Sequence, residues 1–440
     1  MMDDKQGSTL TFAAFTAYQA AFFTGALFFA PYALVKMLNT PAYRAGLSQR
    51  LSLKIVPNKR GDACRPVWIQ AVSLGEVKSV APLIRKIAEK TDCPIRLTTT
   101  TETGHQMARE LFSSTAGISY FPLDFRWATN RILSRIRPRV LVLFETEIWP
   151  NLIKTAVALG IPVVVVNGRI SESSSRWYRL LGPIFHYSFS HISRLGMQSA
   201  SDAERAVALG AEPGAVSVCG NMKFDAVADP PSADRVEQAR RTFLLPKNAP
   251  LIVGGSTHEG EEKALLHVLK RIQAVRPEVR LLLAPRHPER FDDVEAFIHL
   301  EGFKVLRRSN CAGLAHAPDP HTVILLDTIG ELAQTYSLSS VSFVGGSLTN
   351  VGGHNIIEPA SLGKPVVFGP YMHHFKDIKE VFLAEQAAVC VASEEELYHQ
   401  ITRILKSPTK ANELATAALR VVKNNRGATN RYFALLKDFL

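Results

Sequence analysis

Beyond residue 60 the chain alternates short, continuous apolar runs with stretches in which apolar residues recur every three or four positions. Continuous Val/Ile/Leu runs read as strands buried on both faces, and the longer period reads as amphipathic helices laid over them. In the first half this pattern predicts strands at 67–72, 95–99, 118–121, 140–145, 162–167, 194–197 and 216–219, with helices such as 77–89 and 104–112 between them. In the second half it predicts strands at 250–254, 279–284, 304–307, 322–327, 341–345, 365–368 and 388–391, with helices at 259–276 and 290–300. Strands alternating with helices make parallel sheets covered on both faces. The expected fold class is therefore α/β, with two doubly wound, Rossmann-like domains, each offering a ligand edge at the C-terminal ends of its strands.

The proline- and charge-rich stretch 226–249, with DPPSADR and LPKNAP, marks the boundary. The expected domains are 41–228 and 229–415, followed by a terminal helix at 416–440 that is able to pack back on the first domain. The N-terminus follows a different pattern. Residues 7–35 carry no charge, long enough to cross a hydrocarbon layer of about 30 Å, and Lys36, Arg44, Arg50, Lys54, Lys59 and Arg60 follow. The expectation is an N-terminal membrane-anchor helix at 1–40, spanning the bilayer or lying in its interface, with the cationic flank and the domains behind it on the cytoplasmic side.

Composition adds a partner class. A formal charge of +11 points to an anionic partner, whether nucleic acid, acidic lipid or phosphorylated substrate. No nucleic-acid motif accompanies it, so lipid and phosphorylated substrate remain. Five cysteines lie far apart, without CxxC or zinc-type spacing, and read as reduced thiols.

Candidate chemistry sits just past the strand ends. Glu76, in VSLGE, stands where a loop becomes a helix, and reads either as a general base or as an acid complementing the helix dipole. Glu145, in ETEIWPN, continues a buried strand, where its charge is costly unless a partner or substrate uses it. Lys223, in GNMKFD, leads toward the domain boundary, as a site cation or a surface lysine. In the second half, Arg286 follows Pro285 on a stiff loop and suits a phosphate. Asp327 to Glu331 either lines a base pocket with main-chain groups or caps the next helix. The stretch VGGSLTNVGGHNIIEPASLGKPVVFGP, Val344 to Pro370, reads as strand, glycine turn, helix from near His354, and strand. Such a turn lets N–H groups approach an anion, and the helix N-terminus adds about half a positive charge. An ordinary tight turn with a first-turn Glu has the same signature.

Taken in order, the N-terminal run, VSLGE, ETEIWPN, GNMKFD, GGSTHEGEE, PRHPER and GGHNIIEPASLGKPVVFGP resemble the 3-deoxy-D-manno-octulosonic acid (Kdo) transferases of Gram-negative bacteria, across nearly the whole chain. The resemblance implies a GT-B glycosyltransferase, its two domains facing a cleft, that moves Kdo from CMP-Kdo to a phosphorylated lipid A precursor at the inner membrane. It implies Glu76 as catalytic base, Glu145 and Lys223 as the pair stabilising the transition state, and Pro285, Arg286, Ile329, Gly330, Glu331, Asn355, Ile356, Ile357 and Glu358 as CMP-binding residues. It also implies that no metal or other cofactor is required. Sugar-nucleotide 2-epimerases of the same fold, transferases acting on another lipid-linked acceptor, and a non-catalytic nucleotide sensor are the rival readings. The apolar N-terminal run argues against the first.

Overall fold

The computed structural model describes residues 2–39, 41–56, 64–145, 147–227, 230–247, 249–311 and 317–440. Lys59 and Arg60 of the basic flank, and Thr146 of ETEIWPN, lie outside them. The chain divides into two compact units, one of residues 1–226 with 426–440 and the other of residues 227–425.

The first unit holds a seven-stranded sheet built from β1 (Val67–Gln70), β2 (Ile95–Thr99), β3 (Ala116–Tyr120), β4 (Val140–Phe144), β5 (Val163–Gly168), β6 (Arg194–Met197) and β7 (Val216–Val218). Their order is β3-β2-β1-β4-β5-β6-β7, and neighbours pair in parallel. Burial explains the continuous apolar runs: every residue of β1, β4 and β5 is buried. The chain runs outward from β1 to β3, returns to β4 beside β1, and continues the other way. The crevice of this sheet is therefore between β1 and β4.

The second unit repeats the plan with β8 (Leu251–Thr257), β9 (Arg280–Pro285), β10 (Lys304–Arg307), β11 (Thr322–Leu325), β12 (Val341–Val344), β13 (Val366–Phe368) and β14 (Val389–Cys390). The order β10-β11-β9-β8-β12-β13-β14 puts its crevice between β8 and β12.

The C-terminal helix Ala428–Leu436 packs on the first sheet, with Ala428, Tyr432 and Leu436 fully buried in that core. Gly196 in β6 makes room for it, because a Cβ there would lie 2.5 Å from the Tyr432 ring. Asp225, the last residue of GNMKFD, caps this helix by accepting from Gly427 N–H at 2.7 Å and Thr429 N–H at 2.6 Å. Losing an N-terminal cap costs about 1–2 kcal/mol, so Asp225→Ala is expected to destabilise the first unit by that amount. A denaturant midpoint equal to that of the parent protein would contradict the assignment.

The N-terminal segment forms one helix, Met2–Asn39, kept continuous through Pro31. Among the described residues no helix is long and apolar enough to cross a membrane. Thr, Gln, Tyr and Gly residues dilute the uncharged run. One side of the helix packs on the first unit. Phe15 is buried edge-on to Tyr187 with ring centroids 5.4 Å apart, and Phe22 meets Phe125 at 5.0 Å. The Tyr18 hydroxyl donates to Asp124 at 3.0 Å. Phe12, Phe23, Leu27, Phe28 and Tyr32 point outward and are more than half exposed.

Candidate active site

The crevice of the first sheet is lined from both sides by acids. Ser73 caps the helix Leu74–Lys90, and its hydroxyl is bonded to Glu76. Glu76 turns its carboxylate back to accept Val72 N–H at 2.8 Å and Ser73 O–H at 3.1 Å, closing the helix start just past β1. Burial, then the charges of Glu145 and Glu147, push its pKa up to about 8, against the lowering effect of those two donors. A carboxyl poised there holds and releases a proton near neutral pH.

Across the crevice, Glu145 does not continue β4 as expected. Its φ of +58° turns the chain off the strand while its N–H still reaches Val166 O at 2.9 Å. A left-handed glutamate is strained, and the turn redirects its side chain from the sheet plane to the sheet edge. There it faces Lys223, whose Nζ is 3.7 Å from its carboxylate. Lys223 rides on a short turn after β7, fixed by Asn221 Oδ1 accepting Lys223 N–H and by Asn167 Oδ1 accepting Met222 N–H, both at 2.9 Å. Glu147 accepts from the Trp149 indole at 2.9 Å, and burial raises its pKa. Glu76, Glu145 and Lys223, far apart in sequence, are thus brought to one edge of one unit. Beneath them Asp124, which the sequence did not single out, accepts from the main-chain N–H of Asn151 and Leu152 and ties the ETEIWPN loop to Tyr18 of the N-terminal helix. Burial moves its pKa up to about 7.

The remaining candidates lie in the second unit. Pro285 closes β9, and Arg286 N–H bonds Thr257 O at the end of β8, which fixes the main chain of an exposed arginine beside the crevice. Burial lowers the pKa of both His258 and His354, and the Arg286 charge adds to it. Past β11, the Glu331 carboxylate is held by Arg308 at 2.8 Å and by the Thr328 hydroxyl, while Ile329 is 85% exposed beside a left-handed Gly330. Main chain rather than the Glu331 charge is what this loop presents.

The glycine turn differs from its expected form. The helix begins at Ile357, not near His354, and is one short turn, Ile357–Ser361. Asn355 stands ahead of it, its side chain accepting Ile357 N–H at 3.1 Å and donating to Glu358 at 3.4 Å. Ile356 and Ile357 are fully buried, so any ligand meets their main chain only. The turn's N–H groups at Gly346, Ser347 and Leu348 are already taken, by Glu261. Above them His258 and His354 are hydrogen-bonded through Nε2 atoms 2.9 Å apart. Burial, then Arg286, brings His354 down to about 3, and His258 is lowered also, so both rings are neutral. Among the described residues no three His, Cys, Asp or Glu side chains are placed to hold a metal ion.

Comparison with known proteins gives the family. The profile of the family described as 3-Deoxy-D-manno-octulosonic-acid transferase (kdotransferase) matches residues 45–226. A 3-deoxy-D-manno-octulosonic acid transferase of Bordetella pertussis is 36% identical over 85% of this chain and 87% of that protein. One from Haemophilus influenzae is 32% identical over 92% and 93%. Among solved structures, a UDP-GlcNAc 2-epimerase from Neisseria meningitidis bound to UDP-GlcNAc superposes with a TM-score of 0.58 at 14% identity, over 85% of this chain and all of that one, a likeness of fold alone.

Proposed function

This chain belongs to the 3-deoxy-D-manno-octulosonic acid transferases, and from that premise we propose that it transfers Kdo from CMP-Kdo to a phosphorylated lipid A precursor with inversion, Glu76 acting as base. The observation that carries the reading is the pairing of Glu76 and Glu145 across the β1/β4 crevice, with Glu76 raised to about 8. An acceptor hydroxyl attacks the anomeric carbon from the face opposite CMP, and its proton passes to Glu76. The bond to phosphate breaks with its electron pair leaving on the phosphate oxygen. Glu145 stabilises the positive character that develops on the sugar, and Lys223 offsets the sugar carboxylate or the departing charge. Arg286, Asn355 and the main chain of the Ile329 and Ile356 loops hold CMP. The single phosphate is met by Arg286 and N–H donors, and no step in this reading is routed through a metal. Mass spectrometry of the product made from CMP-Kdo and a lipid A precursor tests donor, acceptor and copy number together. No mass increment on the lipid would end the proposal.

The acceptor is a lipid, and the outward face of the N-terminal helix suits it. Phe12, Phe23, Leu27, Phe28 and Tyr32 form an apolar surface on the unit that carries Glu76. In this reading the helix lies in the cytoplasmic interface of the inner membrane.

The base assignment also fixes a pH dependence. A base with a pKa near 8 is protonated and idle below that value, so kcat/KM is expected to rise with pH and level off above about 8. Glu145→Gln removes a negative charge that raises the Glu76 pKa, so the residual activity of this variant should reach its plateau at lower pH. A limb that stays in place, or moves up, would count against the Glu76 assignment.

A further inference from the structure

The glycine turn after β12 is built as an anion cradle, and the chain fills it itself. Glu261, the first residue of the helix Glu261–Gln273, is fully buried. Its Oε2 accepts His258 N–H at 2.9 Å and Gly346 N–H at 2.7 Å, and its Oε1 accepts Ser347 N–H at 2.9 Å and Leu348 N–H at 2.8 Å. Four converging main-chain N–H groups are what a phosphate receives in such a nest. Burial raises the Glu261 pKa and the four donors lower it. Every partner is a donor, so the cradle holds the carboxylate form. Gly345 gives the close approach, because a Cβ there would lie 2.8 Å from Oε2 and 2.4 Å from Ser256 O.

The bonds tie the loop after β8 to the loop after β12, across the crevice where a nucleotide binds. Charge around the crevice is sparing in the same way. Arg290 is answered by the buried Glu262 at 2.9 Å, and the His258–His354 pair is neutral. Arg286 stands exposed beside them.

We propose that Glu261 is a specificity-determining residue, a built-in anion that occupies the main-chain cradle and restricts the donor site to a nucleotide with a single phosphate. This rests on the reading of the second unit as the donor site. A second phosphate entering the cradle would meet the Glu261 carboxylate instead of free N–H groups.

The test compares CMP and CDP binding to the full chain by calorimetry, in the parent protein and in Glu261→Ala, with thermal melting in inorganic phosphate alongside. The parent protein is expected to bind CDP no more tightly than CMP, and its melting temperature should not respond to phosphate. Glu261→Ala should shift the CDP-to-CMP affinity ratio at least about tenfold toward CDP and be stabilised by phosphate, which refills the cradle. A parent protein that binds CDP tenfold more tightly than CMP would overturn the proposal, as would a folded Glu261→Ala with an unchanged ratio and no response to phosphate. A Glu261→Ala that folds only in phosphate supports it. If the variant does not fold at all, the parent protein's ratio decides. A parent protein that binds neither nucleotide overturns the donor reading itself, a failure distinct from CMP binding with an unaltered ratio.

Discussion

Glu76→Gln is expected to lower kcat by about 10²–10⁴-fold, the usual range for removing a general base, with CMP binding unchanged. The substitution is close to isosteric. The amide oxygen still accepts from Val72 N–H, which Glu76 does now at 2.8 Å, so the turn from β1 into the helix Leu74–Lys90 keeps its cap. What disappears is the group that takes the acceptor's proton. The residue lies in the first unit and the CMP-binding candidates in the second, so nucleotide affinity serves as an internal control. Near-native turnover in folded Glu76→Gln would remove the residue from the mechanism. Loss of turnover together with loss of CMP binding would mean that the whole protein had been disturbed. The parent pH profile should be absent from whatever rate remains, because the group titrating near 8 is gone.

The central strands were legible because they are buried on both faces, which leaves a continuous apolar signature. The strand at 95–99 begins and ends where the pattern puts it, and so do those at 194–197 and 304–307, although these two start on an exposed residue. The differences fall where polar residues sit at strand ends. Glu145 looked like strand and is a left-handed turn, since nothing in Phe144-Glu145 announces a positive φ. Glu76, Glu145 and Lys223 were findable as polar residues at or past strand ends. The sheet order explains the first two, since β1 and β4 are adjacent although β2 and β3 intervene in sequence. Lys223 follows the edge strand β7 and reaches Glu145 through the turn that Asn167 holds.

Residues whose meaning depends on a distant partner were not legible. Glu261 resembles any first-turn acid until its partners at Gly346 to Leu348 come beside it. Arg308 is one of two consecutive arginines with nothing to connect it to Glu331. His258 and His354 each sit in a glycine-rich motif, and neither motif says that the rings meet. The glycine turn reads equally as an anion site and as an ordinary tight turn, because its sequence cannot reveal an internal competitor for its N–H groups.

Arg286→Ala is expected to lower kcat/KM for the donor by about 10²-fold, comparable to losing one preorganised donor to developing charge. Pro285 and the Arg286 N–H bond to Thr257 O fix where the guanidinium starts, and the turn N–H groups held by Glu261 leave the phosphate more dependent on it. Arg286→Lys keeps the charge and loses the planar fork, so it should recover only part of the loss. A structural check comes from the histidines. Burial and then Arg286 hold His354 down at about 3, and Arg286 adds less to the lowering of His258, so its removal should let His354 above all titrate at higher pH, read from the imidazole NMR signals without substrate. The sign follows from charge: a neighbouring cation disfavours an imidazolium, and its removal favours one. Raised histidine titration with unchanged kcat/KM would put Arg286 beside the crevice but outside the reaction. Unchanged titration with lost activity would mean the guanidinium does not stand beside the two histidines. Both changes together, with partial rescue by lysine, are what a phosphate ligand at the β8/β12 crevice requires.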